Sequence, residues 1–212
     1  MLPMSTMIFD MDGTLIDSMP YFSRMVLQLL QHEGIPYPPD IVKIVTPLGY
    51  SGTAKKFIEL GSCQTEAQLV SRFTQALAQD YAQQIPLKDH VKDFLIARKA
   101  AGDTLAVLTA SPHSATDSCL QRCGVYHLFD AVWSCEDFGL TKSQPEIFLR
   151  AARQLGVAPE DILFFDDNLF ALGTAKAAGL QTVGVYDASS EESKENIRQT
   201  ADRYIHSFGE LL

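Results

Sequence analysis

The residues of this chain that could do chemistry follow short apolar runs. Asp10 and Asp12 come after the run that ends at Phe9, and Asp166 and Asp167 come after a later run, 162–165. Four carboxylates at one place would repel one another strongly without a cation between them. Oxygen ligands favour a hard divalent ion, with Mg2+ preferred where a phosphate completes the shell. The pattern therefore predicts a magnesium and phosphate site at these aspartates.

Hydroxyl, amide and ammonium groups follow two further apolar runs. Thr109, Ala110 and Ser111 come after Leu108, and Lys142 falls after a third run. A carboxylate attacks phosphorus only if the charge of the dianionic substrate is masked, which Mg2+, Lys142 and strand-end amides can do together. Singly, an aspartate after a strand is often a turn or capping residue. Together, the groups favour phosphoryl transfer with a carboxylate nucleophile.

A parallel sheet is the element that can bring these groups to one edge. Short apolar runs alternate with amphipathic helical stretches, as in a sheet built from βαβ units, and ligands bind outside the carboxyl ends of such strands. The predicted strands are Thr6–Asp10, Thr104–Leu108, Ala131–Ser134, Ile162–Asp166, Thr182–Val185 and Arg203–Ile205. Ser111 is predicted to cap a helix that Gly124 ends, and Asn168 to open one that Gly179 ends.

The block 18–87 interrupts this alternation, because it has helical patterns and no convincing strand. Its predicted helices are Ser23–Gln31, Gly52–Leu60 and Glu66–Gln83. The block holds five basic and five acidic residues, so the rest of the chain carries the whole net charge of −9. The sequence thus predicts a core of residues 1–17 and 88–212 with a neutral helical domain inserted at 18–87.

Composition excludes several classes of protein. The chain has 212 residues, 46% of them hydrophobic and 20% charged, which is typical of a globular protein. A net charge of −9 disfavours nucleic acid and anionic membranes as partners. The N-terminal residues lack the features of a signal peptide, and the four cysteines show no CxxC spacing. We expect a cytoplasmic protein with reduced cysteines, a small phosphorylated metabolite as ligand and no obligate protein partner.

The whole set of motifs resembles the haloacid dehalogenase superfamily, in the subclass with a helical cap after the first strand, like β-phosphoglucomutase and phosphoglycolate phosphatase. The resemblance implies an α/β fold, with a Rossmann-like parallel sheet, helices on both of its faces and an inserted all-helical cap. It implies an aspartyl-phosphate on Asp10, with Asp12 as general acid and base. Thr109 would bind the phosphoryl group, and Lys142 would neutralise it and orient Asp10. The implied Mg2+ ligands are Asp10, the backbone carbonyl of Asp12, Asp166 and Asp167.

Three functions remain open at this point. The first is a Mg2+-dependent phosphatase of a small phosphate monoester, and Asp12 excludes the related dehalogenases and phosphonate hydrolases, whose leaving groups need no proton. The second is a sugar phosphomutase, disfavoured by Phe22 at the position where mutases carry histidine. The third is a non-catalytic phosphate-binding protein, favoured only by Ala171, which replaces the usual Asp or Asn of the fourth motif.

The helical block is predicted to close over the site and to select the substrate by its leaving group. Its basic candidates for substrate binding are Arg24, Lys55 and Lys56, and Tyr50 lies in a loop that could approach the ligand. Ala110 and Ser111 are the candidates from the core. His113 could also contact the substrate, but a histidine at the start of a helix is more often a surface residue.

Overall fold

A six-stranded sheet forms the centre of the protein. The computed structural model describes residues 5–212, apart from the side chain of Pro47, so most of the segment tested for a signal peptide lies outside the described residues. The strand order is β3-β2-β1-β4-β5-β6, and all neighbours pair in parallel. The strands are β1 (Thr6–Phe9), β2 (Thr104–Thr109), β3 (Ala131–Ser134), β4 (Ile162–Asp166), β5 (Gln181–Val185) and β6 (Arg203–Ile205). All six predicted strands are present, with ends shifted by at most one residue.

The chain between β1 and the second strand begins with a helical segment. Its helices are α1 (Met19–Glu33), α2 (Ile41–Val45), α3 (Gly49–Glu59) and α4 (Glu66–Gln83). No strand occurs in the described part of 18–87. Helix α4 has the predicted bounds and begins at a capping box of Thr65 and Gln68. Helix α2 was not predicted, because its β-branched residues disfavour a helix, whereas burial of Ile41 and Val45 stabilises it.

The remaining helices cover both faces of the sheet. They are α5 (Val91–Ala100), α6 (His113–Arg122), α7 (Cys135–Phe138), α8 (Pro145–Leu155), α9 (Leu169–Ala177) and α10 (Lys194–Thr200). Successive side chains of β1 point to opposite faces, so Phe9 packs with Phe94 of α5 while Ile8 belongs to the cluster of Phe148 of α8. The predicted α/β class is confirmed. Within residues 5–212, no helix is both long and apolar enough to cross a membrane.

The helical segment leaves and rejoins the core at one place. The Asp17 amide donates to the Pro86 carbonyl at 3.0 Å, and the Lys88 amide donates to the Leu15 carbonyl at 2.9 Å. One apolar cluster, which we call the shared cluster, includes Phe22 and Leu77 of the segment together with Phe9 of β1. The division into a core and a separate inserted domain at residues 17/18 and 87/88 stays a prediction.

Candidate active site

The parallel register brings the predicted side chains to one edge of the sheet. Phe9 of β1 pairs with Phe165 of β4, so Asp10 and Asp166 follow at the same level. The Asp10 amide continues the ladder by donating to the Phe165 carbonyl at 2.8 Å. On the other side of β1, Phe9 pairs with Val107 of β2, and that strand ends at Thr109. The edge thus carries polar groups from three adjacent strands.

Three buried carboxylates form an acidic cluster there: Asp10, Asp166 and Asp167. One oxygen from each lies within 4.8 Å of the others. The Lys142 ammonium donates to Asp10 Oδ1 and, at 2.8 Å, to Asp166 Oδ2, and only 13% of the Lys142 side chain is exposed. Thr14 donates its hydroxyl to Asp167 Oδ1 at 3.3 Å. The structure therefore brings together four of the residues that the sequence predicted.

Burial sets the protonation of this cluster. Desolvation raises the pKa of Asp10 from 3.8 to about 7, against the lowering effect of Lys142. Desolvation, reinforced by Asp166 and Asp10, holds the pKa of Asp167 well above its usual value. The two neighbouring carboxylates raise the pKa of Lys142 in spite of its burial, so the ammonium stays charged.

The acidic cluster fits a divalent cation. When all three carboxylates are ionised they face one ammonium, which leaves two negative charges uncompensated in a buried place. Lys88, whose charge also reaches Asp167, is itself paired with Asp187. An all-oxygen donor set of this charge suits Mg2+. The carboxylate of Asp12 is not part of the cluster, and the predicted role of its backbone carbonyl as a ligand stays a prediction.

The Asp12 carboxylate instead receives two hydroxyl hydrogen bonds. Tyr81, on α4 of the helical segment, donates to Asp12 Oδ1 at 2.6 Å, and Ser111 donates to Asp12 Oδ2 at 2.6 Å. Burial, the charge of Asp12 and its hydrogen bond hold the pKa of Tyr81 well above its usual value, so this phenol keeps its proton. The Asp12 carboxylate is thus held by two donors outside the acidic cluster, and its role as general acid and base stays a prediction.

Ser111, in the loop after β2, does not have the predicted role of a helix cap. Helix α6 begins at His113 with Pro112 at its N-cap, so the prediction that Ser111 caps this helix is wrong. Ser111 is turned to the site, where its amide donates to Thr109 Oγ1 at 3.0 Å. Because that oxygen accepts from the amide, the Thr109 hydroxyl can direct its own hydrogen at a ligand. Ala110 between them is exposed.

Position 13 requires glycine, because of its backbone conformation and because a neighbouring side chain leaves no room for a Cβ. Its φ is +80°, and a Cβ at this position would lie 2.7 Å from Asp167 Oδ2. The Lys88 ammonium donates to the Gly13 carbonyl at 2.7 Å, to the Tyr186 carbonyl at 2.5 Å and to Asp187 Oδ2 at 2.9 Å. This half-buried lysine, which the sequence analysis did not single out, ties the turn after Asp12 to the end of β5.

The structure explains how the site does without the Asp or Asn that is usual at position 171. Asn168 caps α9 as predicted, accepting from the amides of Phe170 and Ala171. The Ala171 side chain is buried in the apolar cluster on the α8 and α9 face. Support for Lys142 comes directly from Asp166, whose second oxygen accepts from the Asn168 amide at 2.8 Å. A polar side chain at position 171 is therefore not needed to orient Lys142.

The predicted basic residues of the helical segment are each paired with a carboxylate of that segment. Arg24 donates to both oxygens of Asp80 at 3.0 Å, Lys55 lies 4.0 Å from Glu66, and Lys56 lies 3.0 Å from Glu59. Within residues 5–212, none of the three is hydrogen-bonded to the acidic cluster. Their role in substrate binding stays a prediction. His113 bridges Asp117 and Asp137 through its two ring nitrogens.

The chain is similar in sequence to known proteins. The chain matches the model of haloacid dehalogenase-like hydrolases over residues 7–185. It is 31% identical to fructose-1-phosphate phosphatase YqaB of Escherichia coli, over 84% of this chain and 95% of that protein. It is 29% identical to a phosphoglycolate phosphatase of Thiobacillus denitrificans, over 84% of this chain and 81% of that protein.

The fold is also similar to solved structures. One is a variant of CbbY from Rhodobacter sphaeroides in complex with xylulose-(1,5)-bisphosphate, with a TM-score of 0.85 and 23% identity over 98% of this chain and 96% of that chain. At this identity the likeness concerns the fold alone. The family match spans β1 to β5 and includes every residue of the acidic cluster. The chain therefore belongs to the haloacid dehalogenase-like hydrolase family.

Proposed function

We propose that this protein is a Mg2+-dependent phosphatase that hydrolyses a small phosphate monoester through an aspartyl-phosphate on Asp10. One observation carries the proposal: the buried Asp10 carboxylate lies against Lys142 and the carboxylates of Asp166 and Asp167, while the Asp12 carboxylate stays outside that cluster. Two sequence relatives support the substrate class, because they are named for fructose 1-phosphate and phosphoglycolate.

In the first step, an Asp10 oxygen attacks phosphorus and the bond from phosphorus to the ester oxygen breaks. Asp12 gives its proton to that leaving oxygen, which departs as an alcohol. Lys142 and the Thr109 hydroxyl bind phosphoryl oxygens and offset the charge that would repel the nucleophile. The ion that Asp10, Asp166, Asp167 and the Asp12 carbonyl would hold supplies further positive charge to the phosphoryl group and favours the ionised form of Asp10.

In the second step, water attacks the phosphorus of the aspartyl-phosphate. Asp12, now a carboxylate, takes a proton from the water, and the acyl phosphate bond breaks to release inorganic phosphate and the Asp10 carboxylate. The position of Asp12, two residues beyond the nucleophile, lets one side chain serve both steps. The mutase alternative is not favoured, since Phe22 at the histidine position of mutases is buried and stacks on Tyr50.

The test is release of phosphate from a panel that includes fructose 1-phosphate, phosphoglycolate, a nucleotide and p-nitrophenyl phosphate. We expect turnover with Mg2+, little with Ca2+ and none in excess chelator. Asp10→Asn should abolish turnover, because the amide keeps the shape but cannot attack phosphorus. The control is Asp40→Asn, which changes an exposed carboxylate of the helical segment.

Trapping adds a direct readout. Acid quenching during turnover followed by peptide mass spectrometry should find a phosphoryl group on Asp10. Full activity in chelator, or Asp10→Asn as active as the parent, would contradict the proposal. Alanine substitution of Arg24, Lys55 and Lys56 tests the separate prediction that the helical segment selects the substrate, which requires kcat/KM to fall unequally across the panel.

A further inference from the structure

The Asp12 carboxylate is held from two sides by two different parts of the chain. Ser111, from the loop after β2, binds Oδ2, and Tyr81, from the helical segment, binds Oδ1, both at 2.6 Å. With one donor on each oxygen, the plane of the carboxylate is fixed. The Tyr81 contact joins residues separated by 69 positions in the sequence, so it depends on how α4 packs against the core.

Tyr81 is itself held firmly. Its side chain is 3% exposed and belongs to the shared cluster, at the end of the buried stripe of α4. Arg122 of α6 donates through Nε to the Tyr81 carbonyl at 3.3 Å and also donates to the Ile85 carbonyl. The hydroxyl of Tyr50 lies 3.3 Å from the Tyr81 hydroxyl. Packing, the Arg122 side chain and a second phenol thus define where the Tyr81 oxygen lies.

We propose that Tyr81 is a positioning residue that orients Asp12 for proton transfer to the leaving group. This inference rests on the proposed function, in which Asp12 protonates the ester oxygen. Without the Tyr81 hydroxyl, Ser111 alone would hold the carboxyl group, which could then rotate away from the line to the leaving oxygen. Loss of orientation slows a proton transfer without removing the acid itself. The helical segment therefore contributes to the chemical step through Tyr81.

The test is Tyr81→Phe, which removes the hydroxyl and keeps the ring that packs in the shared cluster. The readout is kcat/KM for the alkyl esters fructose 1-phosphate and phosphoglycolate, compared with p-nitrophenyl phosphate. An alkoxide needs a proton to leave, whereas p-nitrophenolate does not. We expect a loss of about tenfold or more on the alkyl esters, part of the 10²–10⁴-fold that an acid or base contributes, and a much smaller loss on p-nitrophenyl phosphate.

Two controls separate positioning from a structural effect. Tyr37→Phe removes another phenol of the helical segment, one that accepts from Gln31 at 3.2 Å, and should change neither substrate class. Ser111→Ala removes the other donor to Asp12 and should give the same selective loss as Tyr81→Phe. Circular dichroism and thermal unfolding of each variant check the fold.

The possible outcomes are distinct. A selective loss on alkyl esters supports the inference. If the wild-type protein turns over and Tyr81→Phe loses the same fraction of kcat/KM on all substrates, or loses none, the inference is overturned. The phosphatase proposal then still stands. Failure of the wild-type protein to release phosphate from every ester overturns both.

Discussion

Replacing Lys142 by Met tests the charge balance of the acidic cluster. The Lys142 ammonium lies 5.7 Å from the centre of the Phe164 ring. Methionine keeps an unbranched side chain that is one atom shorter and removes the charge. Asp10 and Asp166 then lose their common donor while both stay buried. Removing one partner of a buried ion pair costs about 3–5 kcal/mol. For a chain of this length that corresponds to a Tm about 6–20 °C lower.

The loss of stability in Lys142→Met should depend on pH. Because the pKa of Asp10 is raised from 3.8 to about 7 on folding, the native state binds more protons than the unfolded chain between those values. Stability of the metal-free protein therefore falls as the pH rises through this window. Lys142 opposes the shift, so its removal raises the pKa of Asp10 further. The difference in Tm between Lys142→Met and the parent should be large at pH 8 and smaller at pH 5, where Asp10 is protonated in both.

The assay is thermal unfolding in chelator at pH 5 and pH 8, repeated at pH 8 with Mg2+. Added Mg2+ should restore part of the lost stability by supplying positive charge. Lys99→Met is the matched control, since Lys99 pairs with Asp130 at the surface, where an ion pair contributes about 0–1 kcal/mol. A Tm loss as small as that of the control, or one equal at both pH values, would refute the charge argument.

Three further substitutions test other parts of the site. Gly13→Ala should weaken activation by Mg2+ in a metal titration, because the new Cβ would lie 2.7 Å from Asp167 Oδ2. An unchanged apparent affinity for Mg2+ would contradict this steric clash. Lys88→Met should cost about 3–5 kcal/mol in urea unfolding, because Asp187 is left buried and unpaired; a stability like that of the parent would argue against the pair. Asp12→Ala should lower kcat on alkyl esters by about 10²–10⁴-fold with the fold retained, and near-parent kcat would remove its role as acid and base.

The acidic cluster could be predicted because strand ends are local in the sequence. A polar residue directly after a buried apolar run must lie at the carboxyl edge of a parallel sheet, which places Asp10, Thr109 and Asp166 without knowledge of the packing. The rule does not reach Asp187, which lies two residues beyond the end of β5. Most of the strands were predictable for the same reason, since they are short apolar runs between polar residues, whereas β6 begins with the exposed Arg203.

Other contacts depend on tertiary structure. Tyr81 follows Leu77 at helical spacing on a buried stripe, so its sequence context is that of a core residue, and only the packing of α4 brings its hydroxyl to Asp12. Ser111 has the residue type and the neighbouring proline of a helix cap. The helix nevertheless begins two residues later, and the Ser111 hydroxyl binds Asp12. Polar side chains that can cap a helix can equally bind a carboxylate, and sequence alone does not decide between them.

The shared cluster also bears on how the protein folds. Phe22 and Leu77 of the helical segment belong to the same continuous apolar cluster as Phe9 of the central strand. Deleting residues 18–87 would expose the apolar side of α6 against which α4 packs, so we expect the truncated chain to aggregate and the intact chain to unfold in one calorimetric transition. A segment that shares its core in this way can acquire new substrate contacts by substitution at its surface, while its inner residues remain constrained by folding.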